Sequence, residues 1–272
     1  MNKEQFYNEI KSYKLLANKS LGQNFLIDPS VCEKIINSLS LKKEDNLLEI
    51  GAGLGSLSYF LIDKPSNNVL IDIDERMLQF LNEHFSNYPN ITVKRMNVLK
   101  EDLSSYTKII GNLPYYITSG IIEHILLNAT NVQEVVLMVQ KEVLVKLNSK
   151  EISPLSMFLK YVGSIQTLLN VSKNSFCPVP HVESAVFKFV PNENIKNENN
   201  KQLYKLITKL FLHRRKTILN NLSSLIANKE QAIDLLNELN VEQNLRPEQL
   251  DIGFYIKLLD LLKKYNLDNF VK

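Results

Sequence analysis

A chain of 272 residues is long enough to bury a full hydrophobic core and to form one large domain, or a main domain with a smaller one. Its 44% hydrophobic and 22% charged composition is ordinary for a soluble globular protein, and no run reaches the roughly 18 apolar residues that a membrane span needs. The acid-containing start MNKEQFYNEI has no apolar signal core, which predicts a cytoplasmic protein. Cys32 and Cys177 provide neither a disulfide framework nor a zinc spacing. Net charge is a mild +3, yet the stretch Lys201–Asn220 holds six basic residues and no acid. Such a block points either to a polyanionic partner or to a solvated helix face.

From Asn46 onward, short apolar runs alternate with helical patterns. NLLEI (46–50), NVLIDI (68–73), ITVKRM (91–96), KII (108–110) and EVVLMV (134–139) predict strands. Ser56–Leu61, Glu75–Phe85 and Ser119–Leu127 carry apolar residues at helical spacing. The alternation predicts an α/β fold, a largely parallel sheet flanked by helices. IQTLLNV (165–171) and SAVFKFV (184–190) predict two further strands, antiparallel at the sheet edge. PNENIKNENNK (191–201) is polar and Asn-rich and predicts a linker. Beyond it, QLYKLITKLFL, KTILNNLSSLIA, QAIDLLNEL and PEQLDIGFYIKLLDLLKK are helical. The expected organisation is therefore a catalytic domain over 1–190, a linker over 191–201 and a small all-helical domain over 202–272.

LEIGAGLGSLS (48–58) places a strand before a glycine-rich turn. Gly51, Gly53 and Gly55 permit close backbone approach to a ligand and turn conformations closed to other residues. The spacing is G-x-G-x-G, not the dinucleotide fingerprint, and no P-loop Lys-Ser/Thr follows. Asp72 ends the second strand about 20 residues on, where a nucleotide-binding α/β fold puts a carboxylate for ribose hydroxyls. Together these residues suit an adenosine-type ligand; the glycines alone would also suit a plain tight turn. GNLPYY (111–116) adds an amide, a rigid turn and two aromatic faces at another strand end, which is poor core material.

IGAGLGSLS, IDIDERML and GNLPYYITS resemble the successive motifs of class I S-adenosylmethionine-dependent methyltransferases. KSLGQNFLID (19–28), LMVQKEV (137–143), FCPVPHVESAV (176–186) and FLHRRKTILNNL (211–222) resemble, in order, the small-subunit (16S) rRNA adenine dimethyltransferase family. The resemblance spans roughly residues 19–222. It implies a Rossmann-like catalytic domain, S-adenosylmethionine as cofactor, and conversion of two adjacent adenines near the 3′ end of 16S rRNA to N6,N6-dimethyladenine during small-subunit biogenesis.

Carried over residue by residue, the resemblance puts cofactor contacts on Asn24, Leu26, Gly51, Gly53, Asp72, Asn97 and Asn112. It puts the target adenine on Asn112, Leu113, Pro114 and Tyr115. The Asn112 oxygen and the Leu113 carbonyl would accept from the exocyclic amine, Pro114 would stiffen the turn, and Tyr115 would stack on the base. Phe176 would close the other face of the base; each such stack is worth roughly 1–3 kcal/mol. Asp72 stands where the family commonly has Glu, Asn97 where it usually has Asp, and Glu183 where Asp is commoner. Lys201, Lys205, Lys209, Arg214, Arg215 and Lys216 would meet rRNA phosphates, or in part tie the domains together. A basic arm around Lys14 and Lys19 would share in target reading. No metal is expected, because His84, His124, His181 and His213 lack ligand spacing. The default assembly is a monomer. Two alternatives remain: a large-subunit adenine methyltransferase of the antibiotic-resistance type, and a non-catalytic RNA-binding assembly factor.

Overall fold

A computed structural model of the chain describes residues 3–12 and 23–269. Lys14 and Lys19 lie outside the described residues. In chain order the elements are α1 (Lys3–Ser12), β1 (Phe25–Leu26), α2 (Pro29–Asn37), β2 (Asn46–Ile50), β3 (Asn67–Asp72), α3 (Glu75–Phe85), β4 (Ile91–Arg95) and β5 (Lys108–Asn112). There follow α4 (Thr118–Asn128), β6 (Glu134–Gln140), α5 (Lys141–Asn148), α6 (Pro154–Val162), β7 (Gly163–Val171), β8 (Phe176–Cys177) and β9 (Ser184–Pro191). Four helices end the described chain: α7 (Asn200–Leu210), α8 (Ile218–Ile226), α9 (Lys229–Glu238) and α10 (Ile252–Lys264).

Among the described residues, seven strands form one sheet in the order β4-β3-β2-β5-β6-β9-β7. β4, β3, β2, β5 and β6 are mutually parallel, and β9 runs antiparallel to both β6 and β7. The two late strands thus take the antiparallel edge expected of them. Central strands read as continuous apolar runs because both of their faces are covered: Val135 to Val139 on β6 are all buried. Edge strand β7 alternates instead, and a bulge between Thr167 and Leu169 interrupts its register with β9.

Capping fixes where the helices begin. Asp28 accepts from the Ser30 and Val31 N–H groups at 3.0 and 3.4 Å ahead of Pro29, the first residue of α2. Asp74 caps α3 through the Arg76 N–H at 3.1 Å. The segment predicted helical over Ser56–Leu61 is only a 3-10 turn, Ser58–Leu61.

The chain divides into two compact units, one of residues 1–145 with 163–192, the other of 146–162 with 193–272. The boundaries differ from those expected at 190 and 202. Residues 146–162 group with the C-terminal helices because α6 buries Phe158, whose ring lies 5.2 Å from that of Tyr204 on α7. The expected linker contains a 3-10 turn, Glu193–Lys196, and the start of α7. Asn200 is buried there and donates to the Asn194 and Ile195 carbonyls, so the polar stretch is folded structure.

Candidate active site

β2 neighbours β3 on one side and β5 on the other, so the strand order reverses between β2 and β5. Open α/β sheets bind ligands at such a switch, beyond the carboxyl ends of the strands. Here Gly51 follows β2 and Asn112 ends β5, with Ile50 paired to Gly111 across the two strands. The strands approach closely at that point: a Cβ on Gly111 would lie 2.7 Å from the Ile50 carbonyl oxygen.

A cavity opens there. Its walls include Asn24, Leu26, Gly51, Gly53, Asp72, Asn97, Asn112, Leu113, Pro114 and Tyr115, ten of the residues singled out from the sequence. Gly51 (φ 66°) and Gly53 (φ 57°) both take left-handed backbone conformations, and a Cβ on Gly53 would lie 3.4 Å from the Phe25 ring. The Asp72 carboxylate organises the rim. Its Oδ2 accepts from the Gly53 N–H at 3.0 Å, and its Oδ1 accepts from the N–H groups of Ile73 (2.7 Å) and Asp74 (2.9 Å). Burial raises the Asp72 pKa, against the pull of these three donors. Asn97 accepts from the Leu99 N–H at 3.1 Å, capping a short 3-10 turn at the end of β4.

On the opposite wall, the Asn112 side-chain nitrogen donates to the Asn24 carbonyl at 3.1 Å. Pro114 sits at φ −61°, and its carbonyl accepts from Thr118 Oγ1 at 3.0 Å, which ties the turn to α4. The Tyr115 hydroxyl meets Ser184 Oγ at 3.0 Å, holding its half-buried ring at the mouth, while Tyr116 is exposed.

Phe176 departs from expectation. The β8–β1 pairing, Phe176 opposite Leu26, buries its ring in the core at 1% exposure, and the ring is not part of the cavity wall. The basic residues lie on the second unit. Lys201, Lys205 and Lys209 are exposed along α7, and Arg215 and Lys216 are exposed on the turn before α8. Arg214 pairs with Glu151 at 3.0 Å, both within that unit.

Two polar residues of the cavity wall that were not singled out from the sequence are Glu49 and Gln23. Glu49 is 2% exposed, accepts from Ser58 Oγ at 2.7 Å, and is pushed by burial up to about 8. Its signal in the sequence is an acid inside an otherwise apolar strand. Gln23 donates to Asp74 Oδ2 at 3.0 Å, drawing the segment before β1 over the turn after β3.

Glycine backbones, a ribose-compatible carboxylate and an adjacent amide turn fit a cofactor that has a sugar, a base and a reactive group reaching toward Asn112. This fold with this site is that of a class I, S-adenosylmethionine-dependent methyltransferase. The profile of the ribosomal RNA adenine dimethylase family matches residues 14–264, and the chain belongs to that family. Relatives named ribosomal RNA small subunit methyltransferase A include one from Streptococcus gordonii, 34% identical over 92% of this chain and 93% of the relative. Another, from Mycoplasma capricolum, is 37% identical over 90% and 97%. Among solved structures, a dimethyladenosine transferase from Plasmodium falciparum superposes with a TM-score of 0.74 at 27% identity, covering 88% of this chain and 97% of that one. The 23S rRNA methyltransferase ErmE shares the fold, with a TM-score of 0.64 at 22% identity over 88% of this chain and all of its own.

Proposed function

We propose that this enzyme methylates N6 of two adjacent adenines near the 3′ end of 16S rRNA in the assembling small subunit, yielding N6,N6-dimethyladenosines. It acts as a cytoplasmic monomer without a metal. The observation that carries the chemistry is the anchoring of Asn112. Its nitrogen is committed to the Asn24 carbonyl, which leaves the side-chain oxygen as the end of the amide able to accept in the cavity that Asn112 lines. That oxygen and the Leu113 carbonyl suit the two N–H groups of an exocyclic amine. Accepting from them favours a pyramidal nitrogen with its lone pair directed at the methyl donor. S-adenosylmethionine, when bound, supplies a methyl group activated by its sulfonium, so the protein needs no general base for the displacement.

Gly51, Gly53, Asp72, Asn97, Asn24 and Leu26 would hold that cofactor, with Asp72 taking the ribose hydroxyls. Tyr115 would stack on the target base, its ring fixed through Ser184. Phe176 would reach the base only if its segment moved, so Tyr115 is the main stacking partner in this reading. The exposed cations of the second unit would meet rRNA phosphates, while Arg214 is committed to Glu151. Choice of the small subunit over the large is supported by relatives of 33–37% identity named for the small subunit.

The test is transfer of labelled methyl from S-adenosylmethionine to unmethylated small subunits, with modified bases mapped by mass spectrometry. Two adjacent dimethyladenines near the 3′ end are expected. Methylation of large-subunit rRNA alone would assign the protein to the resistance type. Cofactor binding without transfer to either subunit would favour an assembly factor.

A further inference from the structure

The helix α1 lies ahead of the glycine loop in the chain, and several of its contacts fall on the turn that follows the glycines. Tyr7 is 3% exposed, and its hydroxyl donates to the Ser56 carbonyl at 2.6 Å, bridging 49 residues of chain. Ser56 comes directly after Gly55 and forms part of the cavity wall. On the same helix, Phe6 stacks on Tyr59 with ring centroids 4.9 Å apart, and Lys3 lies over the Phe60 ring at 5.1 Å. Phe6 also packs edge-on against Phe85 at 5.8 Å. The Phe85 ring occupies the space a Cβ on Gly55 would need, 2.4 Å from its Cε2. One helix therefore holds the turn directly at Ser56, and again at Gly55 through Phe85.

We propose that α1 is a brace for the cofactor-binding turn and that Tyr7 is a positioning residue for S-adenosylmethionine. The Ser56 carbonyl belongs to a residue only 7% exposed, where water is a poor substitute for the tyrosine hydroxyl. Left without that donor, the Ser56 peptide gains by rotating toward another partner. Rotation at Ser56 is transmitted through Gly55 to Gly53, which takes a left-handed conformation and lines the cavity. The brace acts on cofactor affinity and leaves the adenine-binding turn at Asn112–Tyr115 alone.

This inference rests on the cofactor site assigned above, and one set of measurements separates the two. Calorimetric titration of S-adenosylmethionine into the wild-type chain, Tyr7→Phe and Ile10→Val is paired with thermal melts and steady-state methyl transfer. Ile10 is buried on the same helix and serves as the packing control. Tyr7→Phe is expected to raise the cofactor Kd and the cofactor KM together, by about ten-fold, the ratio set by one ordinary hydrogen bond. Its kcat at saturating cofactor and its KM for small subunits should match the wild type. Ile10→Val should lower the melting temperature without moving the cofactor Kd. Unchanged cofactor affinity in Tyr7→Phe would overturn the brace while leaving the cofactor site standing. The same would follow if both variants lost affinity in proportion to their loss of melting temperature. A wild-type chain that does not bind S-adenosylmethionine would remove the site and the brace together.

Discussion

The side-chain amide of Asn112 donates to the backbone carbonyl of Asn24 across 88 residues of chain, at 3.1 Å. This bond joins the segment before β1 to the end of β5, and it commits the nitrogen end of the amide, leaving the oxygen end to accept. Asn112→Ala removes the acceptor for the target amine and is expected to lower kcat by about 10²–10³, the scale seen when one catalytic hydrogen-bonding group is deleted. Asn112→Asp is nearly isosteric but opposes a carboxylate to the Asn24 carbonyl, and should be about as inactive. Methyl transfer to small subunits at saturating cofactor measures both. Wild-type kcat in Asn112→Ala would remove the residue from the mechanism.

Asp72 joins three backbone donors with two oxygens, and only a carboxylate can accept from all of them. Asp72→Asn turns an NH₂ group against at least one of those N–H groups. It is expected to weaken S-adenosylmethionine binding by about 10- to 100-fold, given roughly 1.5–3 kcal/mol for a hydrogen bond to a charged group. Calorimetry is the measurement, and an unaltered Kd would show that the carboxylate serves only the fold.

Glu49 makes stability depend on pH. Burial raises its carboxyl from 4.5 to about 8 in the folded chain, so between those values the native state holds a proton that the unfolded state has released. Its contribution to stability is therefore fully present below pH 4.5 and is lost as pH rises through about 8. Glu49→Gln mimics the protonated form at every pH. Melts at pH 5 and pH 8.5 should show the variant gaining on the wild type, on the scale of about 2–4 °C per kcal/mol. A pH-independent difference would contradict the burial of an ionisable Glu49.

Gly55 combines a φ of 76° with a Cβ position only 2.4 Å from the Phe85 ring. Gly55→Ala should cost about 1–3 kcal/mol or more, from backbone strain and overpacking together. Urea unfolding reads this directly. Adding Phe85→Leu should recover only the overpacking part, because the backbone strain persists.

Lys209, Arg215 and Lys216 are exposed on the second unit. Changing all three to Ala is expected to weaken binding to small subunits and to flatten the slope of log K against log salt by roughly 0.7–0.9 per lost phosphate contact. Cofactor affinity should be unaffected. An unchanged salt slope would leave these cations as a solvated face.

Much of this site was legible in the sequence, because its chemistry is local. Glycine spacing, the acid at the end of a strand and the Asn-Leu-Pro-Tyr turn are short-range patterns, and strand ends on one edge of a parallel sheet are bound to gather. α3, over Glu75–Phe85, was readable to the residue because its apolar spacing coincides with a capping Asp74. Phe176 was misplaced because a two-residue pairing with β1, 150 positions earlier, turns its ring into the core. The affiliation of residues 146–162 was hidden for the same reason: a helical pattern shows which face is apolar, not which partner covers it.

The sequence by itself determined the fold class, the family and the residue types at the cavity, since each follows from periodicity or from contiguous motifs. Only the tertiary structure decided which groups are already committed. It bonded Asn112 to Asn24, spread Asp72 over three backbone donors, buried Glu49 beside Ser58 and set Tyr7 against the turn after the glycines. Those partners lie up to 88 residues apart, and no local rule of spacing selects among the many groups a folded chain could bring within 3 Å.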